Sequence, residues 1–398
     1  MGARETRQGE NLQRLIFISI GSKLWGLALA VLLAGCGAGD RSARELGPGI
    51  TYHKVHLLEG PWWIHVVEVD LPRAWQAGVR LRTVSAPSDK GGVERTSTLA
   101  KGALAAVNGD FFYTSETSHT AGLQVSAGAL LQAPQRRSAF AVTASGKPLV
   151  AAFQMEIGIK TALGRVLPVQ KFNRTPREGE LALYNYHAQS WQDSVHAALG
   201  FQLQSLRGHS IINDTLSMRV LQLRRRAWPL VLEPDQWLLA AGSTYAGDAI
   251  APGDTVQLFC NLLPARERLL EALGGGPRIL RDGDISIEYE EERLSRSFAE
   301  ERHPRTAVGY SQNGEVLFLV VVDGRQPGYS VGMTLAELAG FMRMRLADFS
   351  STHENVYQAL NLDGGGSTTM VVEDEVVNSP SDQTGERPVA NVLLVSGP

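Results

Sequence analysis

Ala359-Leu360-Asn361-Leu362-Asp363-Gly364-Gly365-Gly366-Ser367-Thr368-Thr369 begins as a strand and ends as a loop. Alternation in the strand puts Asn361 and Asp363 on one face, with Leu360 and Leu362 on the other. The three glycines leave the backbone uncovered, so their N–H groups are expected to form a concave donor nest for an anion. Ser367 and Thr368 add hydroxyls. No lysine follows the glycines, which excludes a Walker loop. Immediately downstream, Thr369-Met370-Val371-Val372 and Glu375-Val376-Val377 flank a tight turn and read as a hairpin.

The same strand-then-polar-tip pattern recurs along the chain. Trp63–Val69, Val79–Val84, Ser138–Val142, Glu315–Val322 and Asn391–Val395 read as strands. Helical signals are few. Thr334-Leu335-Ala336-Glu337 is a capping box, and Leu335, Leu338, Ala339, Met342 and Leu346 follow at helical spacing. A short helix is expected over Leu99–Leu104. Together these elements predict an α+β class, a single large domain of mixed β-sheets with a few packed helices. The charged run Glu288–Arg296 reads as a solvated surface segment.

The chain has 398 residues, 43% hydrophobic and 20% charged, which suits a globular protein with a large core. Its formal net charge of -3 supplies no basic surface for a polyanion, so nucleic acid is not an expected partner. The 2 cysteines, Cys36 and Cys260, build neither a disulfide framework nor a zinc site. Cys260 lies in the apolar run Val256–Cys260 and reads as a buried small hydrophobe.

Near the N-terminus, the apolar run Leu24–Leu33 follows Arg14 and Lys23 and has the length of a signal-peptide core. Leu33-Ala34-Gly35-Cys36 comes next and resembles a bacterial lipobox, in which the cysteine is lipidated after cleavage. The expected organisation is a lipoprotein signal peptide over 1–35, the lipidated Cys36 and a flexible tether over 36–50, and the folded domain over 51–398. The location implied is the bacterial cell envelope, with the membrane as a partner through the lipid. Gly37 after the cysteine points to the outer membrane where the organism has one.

Other polar clusters stand at the ends of apolar runs. Arg305, in Arg302-His303-Pro304-Arg305-Thr306, offers a planar fork for phosphate or carboxylate. Asp323-Gly324-Arg325 follows the apolar run ending at Val322. Asn108-Gly109-Asp110 follows Val107, and Glu386-Arg387 lies near the C-terminus. Taken singly, each has a plain alternative as a turn, a hairpin or a surface ion pair.

Taken in order, they resemble the phosphodiester glycosidase family. The motifs are Asn108–Phe112, Gly274–Arg278, Arg305–Gly309, Asp323–Arg325, Gly332–Thr334 with Glu337–Ala339, Asn361–Ser367, and Asn378–Asp382 followed by Gly385–Asn391. The resemblance spans most of residues 60–396 and is densest after Gly274. It implies hydrolysis at the anomeric carbon of a sugar-1-phosphodiester, giving free sugar and a phosphomonoester. The transition state of such a reaction has oxocarbenium character, which a carboxylate stabilises. Asp363 is the expected carboxylate or general base, with Arg305 and Asp323 as further catalytic candidates. Arg305, with Arg325 or Arg387, would balance phosphate charge. Asn108, Asp110 and Asn361 would bind sugar hydroxyls or orient Asp363. Thr306, Gly364, Gly365, Gly366, Ser367, Thr368 and Glu386 complete the expected substrate-binding set. The partner is a sugar-phosphate or envelope glycan.

No cofactor is demanded by the spacing. Oxygen ligands from Asp323 or Asp363 would suit calcium or magnesium. Two other functions fit the same residues: a non-catalytic glycan-binding lipoprotein, and a metal-dependent phosphodiesterase that cuts the P–O bond.

Overall fold

The strand Val316–Val322 is the centre of the architecture, and its alternation explains why. Leu317, Leu319 and Val321 point into one hydrophobic core. Val316, Phe318, Val320 and Val322 point into a second. A strand covered on both faces needs no polar residue in its run. In the computed structural model, the described residues are 38–87, 92–114, 119–188, 199–208, 210–225, 231–242 and 250–398. Gly37–Pro398 forms one compact unit. The stretches read as a signal peptide and a lipobox, with Cys36, lie outside the described residues.

Val316–Val322 is central in an eight-stranded sheet. The order is Ala38–Gly47, Ile50–Leu57, Trp62–Asp70, Val316–Val322, Arg305–Ser311, Val356–Asn361, Arg278–Arg281 and Asp284–Ile285. All of its neighbours pair antiparallel. On one face lies a five-stranded sheet ordered Glu375–Val376, Met370–Val372, Ala103–Asn108, Asn391–Ser396 and Arg80–Ser85. Ala105, Val107, Met370, Leu393 and Val395 meet the central strand's odd-numbered residues there. On the other face lies the helix Leu335–Met344, whose Leu335, Leu338, Ala339 and Met342 fill the second core. Its capping box is complete: Glu337 N–H donates to Thr334 Oγ1 at 3.1 Å, and Thr334 N–H donates to Glu337 Oε2 at 2.9 Å.

A second eight-stranded sheet, from residues 154 to 263, has its own core. Thr255–Leu263 is typical of it, alternating outward Thr255, Gln257 and Leu263 with inward Val256, Leu258, Cys260 and Leu262. Cys260 is buried and free, and burial pushes its thiol up to about 12.

The expected α+β class is corrected. Among the described residues there are twenty-eight strands and five α-helices, and of the helices only Leu335–Met344 is longer than six residues. The fold is mostly β, in several sheets. Among the described residues the paired strands run antiparallel except Lys171–Phe172 beside Leu181–Asn185, and the isolated bridge between Ile212 and Cys260 is also parallel. Three local expectations also change. The helix expected over Leu99–Leu104 occupies Thr96–Leu99. Gly102, at φ +79°, then turns the chain into the strand Ala103–Asn108, which pairs on both sides. The stretch read as a tether, 36–50, contains the strand Ala38–Gly47. The charged run Glu288–Arg296 is not wholly solvated, because Glu292 is buried and accepts from Ser138 and Arg278.

Phe318 is fully buried in the core shared by the central sheet and its helix. Phe318→Ala is expected to lower the unfolding free energy by about 3–5 kcal/mol, read from urea denaturation. A loss below about 1 kcal/mol would mean that this face is not tightly packed.

Candidate active site

The glycine loop is held before it is shaped. Asn361 closes the end of its strand by donating Nδ2 to Gly276 O at 2.8 Å and to Leu362 O at 2.7 Å. Asp363 N–H donates to Gly109 O at 3.0 Å, and Asp363 O accepts from Asn108 Nδ2 at 2.7 Å. Gly365–Ser367 then forms one 3-10 turn.

For two of the three glycines the expected donor nest is corrected by where the N–H groups go. Gly364 N–H donates to Asp363 Oδ1 at 3.0 Å, and Gly365 N–H donates to Pro304 O at 2.9 Å. Ser367 and Thr368 donate back to Gly364 and Gly365 at 3.2 Å each. The glycines serve close approach instead. A Cβ at Gly364 would lie 2.8 Å from Pro304 O. One at Gly365, itself at φ +62°, would press on the Arg325 guanidinium at 3.0 Å. One at Gly366 would collide with Arg387 Nη2 and Asp382 Oδ1, both at 2.2 Å. Three consecutive glycines let two arginines lie directly on the backbone.

Those arginines border a cavity of about 180 Å³ lined by Phe298, His303, Arg305, Arg325, Asp363, Gly364, Gly365 and Arg387. Arg305 is fully buried. Its Nε donates to Met333 O at 2.8 Å, and its Nη2 donates to Phe298 O and Glu301 O at 2.8 and 2.9 Å. Its Nη1 is buried without a partner. The guanidinium stacks 5.0 Å from the centroid of Phe298. Burial, then repulsion from Arg325, pushes Arg305 down to about 10, so it remains a cation at neutral pH. Arg325 adopts φ +58°, a left-handed conformation uncommon for a non-glycine residue, and donates from Nη2 to His303 Nδ1 at 3.1 Å. His303 is held below its ordinary range by burial and by the charges of Arg305 and Arg325, with Glu301 opposing them. Arg387 is gripped by Asp382 through two bonds of 2.8 and 3.1 Å.

Asp363 is the carboxylate of this cavity. Its surroundings are protein on most sides, so burial pushes it up to about 6. The Ser367 hydroxyl, Arg387, Gly364 N–H and Arg137 pull the other way. The Ser367 hydroxyl forms no well-shaped hydrogen bond with the protein, so its pull is a weak one. The result is a carboxylate poised near neutrality beside a buried cation with a spare donor. That is an anion site with its own base.

The other expected site residues divide by location. Asn108 and Thr306 are close to Asp363 but spent on structure: Asn108 Oδ1 accepts from Thr306 Oγ1 at 2.7 Å and from Thr369 N–H at 3.1 Å. Thr368 Oγ1 and Asn361 Oδ1 are buried without partners in the same loop. Glu386 is turned away, accepting from Ser97 N–H and Oγ at 2.7 and 2.6 Å. Asp323, expected among the catalytic groups, is corrected to an anchor. Its Oδ1 accepts from Asn378 Nδ2 and Ser379 N–H at 3.0 and 2.9 Å. Its Oδ2 meets Tyr329 Oη at 3.2 Å and His65 Nε2 at 3.3 Å. It thereby holds the segment that leads to Asp382 and Arg387.

The oxygens of Asp323 are occupied by donors, and Asp363 faces guanidinium groups. No cluster of three or more His, Cys, Asp or Glu side chains suited to a metal occurs among the described residues. Sequence reasoning missed His303, Phe298, Arg137 and Asp382. His303 and Asp382 lie inside quoted motifs, whereas Phe298 and Arg137 carry no local signal.

Residues 236–396 match the family model described as phosphodiester glycosidase. Over 144 residues the chain is 31% identical to the N-acetylglucosamine-1-phosphodiester alpha-N-acetylglucosaminidase of Mus musculus, covering 32% of this chain and 26% of that protein. The resemblance to phosphodiester glycosidases, which are enzymes, is thus borne out. The chain spans about a quarter of that relative's length. Two solved structures share the fold. A hypothetical protein from Synechocystis aligns with TM-score 0.64 and 22% identity, over 87% of this chain and 62% of that one. A Burkholderia pseudomallei protein described as exported aligns with TM-score 0.63 and 19% identity, over 94% of this chain and 100% of that one.

Removing the Asp323 carboxylate strands several buried donors at once. Asp323→Ala is expected to cost about 3 kcal/mol of unfolding free energy, measured in urea. A variant of unchanged stability would show that Asp323 does not anchor the Asn378–Ser379 segment.

Proposed function

We propose that this protein hydrolyses the C1–O bond of a sugar-1-phosphodiester, releasing free sugar and a phosphomonoester. The observation that carries this reading is the sharing of one cavity by the Asp363 carboxylate and the guanidinium groups of Arg305, Arg325 and Arg387. A phosphodiester anion matches the cations in charge and in bonding geometry. The sugar then faces Asp363, whose negative charge stabilises the oxocarbenium character that develops at C1. Bond breaking leaves charge on the departing phosphate oxygen, beside the spare Arg305 Nη1. Phosphate is a good leaving group, so a strong general acid is not needed. The family match over residues 236–396 supports the same chemistry.

The test is product analysis by mass on a panel of sugar-1-phosphodiesters, one of them an N-acetylglucosamine diester. Free sugar plus phosphomonoester is expected. Asp363→Asn should abolish it, and Arg387→Ala should lower kcat/KM about 100-fold. Because Asp363 works ionised, kcat/KM should fall as pH drops through about 6. Sugar-1-phosphate as product would mean P–O cleavage. Saturable binding without turnover would mean a glycan-binding module.

The location belongs to the same proposal. Lipidation at Cys36 would hold the enzyme on the bacterial envelope, within reach of phosphodiester-linked glycans. Cys36→Ser is expected to move the protein from the membrane fraction to the soluble fraction. Unchanged membrane association would reject the lipid anchor.

A further inference from the structure

A second carboxyl group lies behind the cavity, and its setting differs from that of Asp363. Asp110 follows the strand Ala103–Asn108 and is buried, with 1% of its surface exposed. Its Oδ2 accepts from Gly122 N–H at 2.6 Å, and its Oδ1 is buried with no partner. The backbone is moulded around this group. A Cβ at Gly274 would lie 2.4 Å from Oδ2, and one at Gly122 would lie 2.9 Å from it. Asn391 Oδ1 accepts from Asp110 N–H at 2.8 Å and locks the main chain.

No element packed against Asp110 forms an ion pair with it among the described residues. Phe111 and Gly122 supply N–H groups, Asn391 a neutral amide, and Gly274 no side chain. Arg137 is a cation whose field reaches both Asp110 and Asp363. It makes no ion pair with either among the described residues, and stands 5.0 Å from the Phe111 ring instead. Asp363 is close enough for its negative charge to act on Asp110. The main chains touch directly, through Asp363 N–H to Gly109 O. A buried carboxylate with only backbone donors, no ion pair among the described residues and a like charge nearby is costly to ionise.

We infer that Asp110 is a positioning residue that works in its neutral, proton-bearing form, so that Asp363 alone carries the negative charge of the site. Resting on the proposed hydrolysis, this makes the site sensitive to pH from both sides. Asp363 must lose its proton to act. Asp110 must keep its own, because a second negative charge would repel an anionic diester and offset the arginines. Burial, opposed by the N–H groups and Arg137 and aided by Asp363, raises Asp110 from 3.8 to about 7. The pH–rate profile is therefore a bell, with an acid limb from Asp363 and an alkaline limb from Asp110.

The sign of the stability linkage follows. A carboxyl whose folded value is raised contributes stability that is complete below 3.8 and lost as pH rises through about 7. Asp110→Asn keeps the shape and the acceptor but cannot ionise. Its melting temperature relative to the parent protein should climb by about 5 °C between pH 4 and pH 8. A difference that stays flat, or that falls with pH, overturns the inference. This readout needs no substrate, so it stands apart from the proposed activity. If hydrolysis is found, Asp110→Asn should also lose the alkaline limb while keeping the acid limb; an unmoved alkaline limb overturns the catalytic half. Should the variant fail to fold, carbon-13 NMR of aspartate-labelled parent protein decides. A carboxyl other than Asp363 titrating near pH 7 supports the inference, and titration of every other aspartate below pH 5 overturns it.

Discussion

Asn108 joins parts of the chain that would otherwise have no reason to meet. Its oxygen takes the Thr306 hydroxyl from the central sheet and the Thr369 N–H from the end of the glycine loop. Its nitrogen gives a bond to the carbonyl of Asp363. One carboxamide, fully buried, thus fixes the distance between the strand that carries Arg305 and the residue that carries the carboxylate. Leaving any of these groups unpaired would cost about 1–3 kcal/mol. Asn108 defines the site without lining its cavity.

Given that clasp, the electrostatics follow from packing. The glycine loop admits Arg325 and Arg387 against its backbone because no Cβ stands in the way. Arg305 is held by carbonyl groups and not by a carboxylate, so its positive charge is not cancelled at close range. Arg387 is partly neutralised by Asp382, which also fixes its direction. Burial raises Asp363 and lowers Arg305, and each shift brings the group nearer to a chemically useful range without removing its charge at neutral pH.

Much of the site was legible because its residues cluster in sequence. Asp363 and its glycines form one run, Arg305 and Arg325 each sit beside an apolar segment, and Arg387 lies in the last motif of the family resemblance. What the glycines do was not legible: clearance for an arginine depends on a chain segment far away in sequence. The same holds for Asp323, whose partners Asn378 and Ser379 lie more than fifty positions on. Its setting at a strand tip suggested chemistry, while its bonds make it an anchor. The strands with uniform apolar runs were plain, as was the capping box at Thr334. The class was misjudged because many strands are short, such as Phe112–Tyr113 and Lys171–Phe172. Such pieces form only when a neighbouring strand supplies their hydrogen bonds, and no local periodicity announces them.

The central claim is that the bond broken is the one at the sugar's anomeric carbon. Hydrolysis of a sugar-1-phosphodiester in water enriched in oxygen-18 tests it directly. The account predicts the label in the released sugar and none in the phosphomonoester. Label in the phosphate would contradict it, because the cations of the cavity would then be activating phosphorus for attack, not holding a departing group.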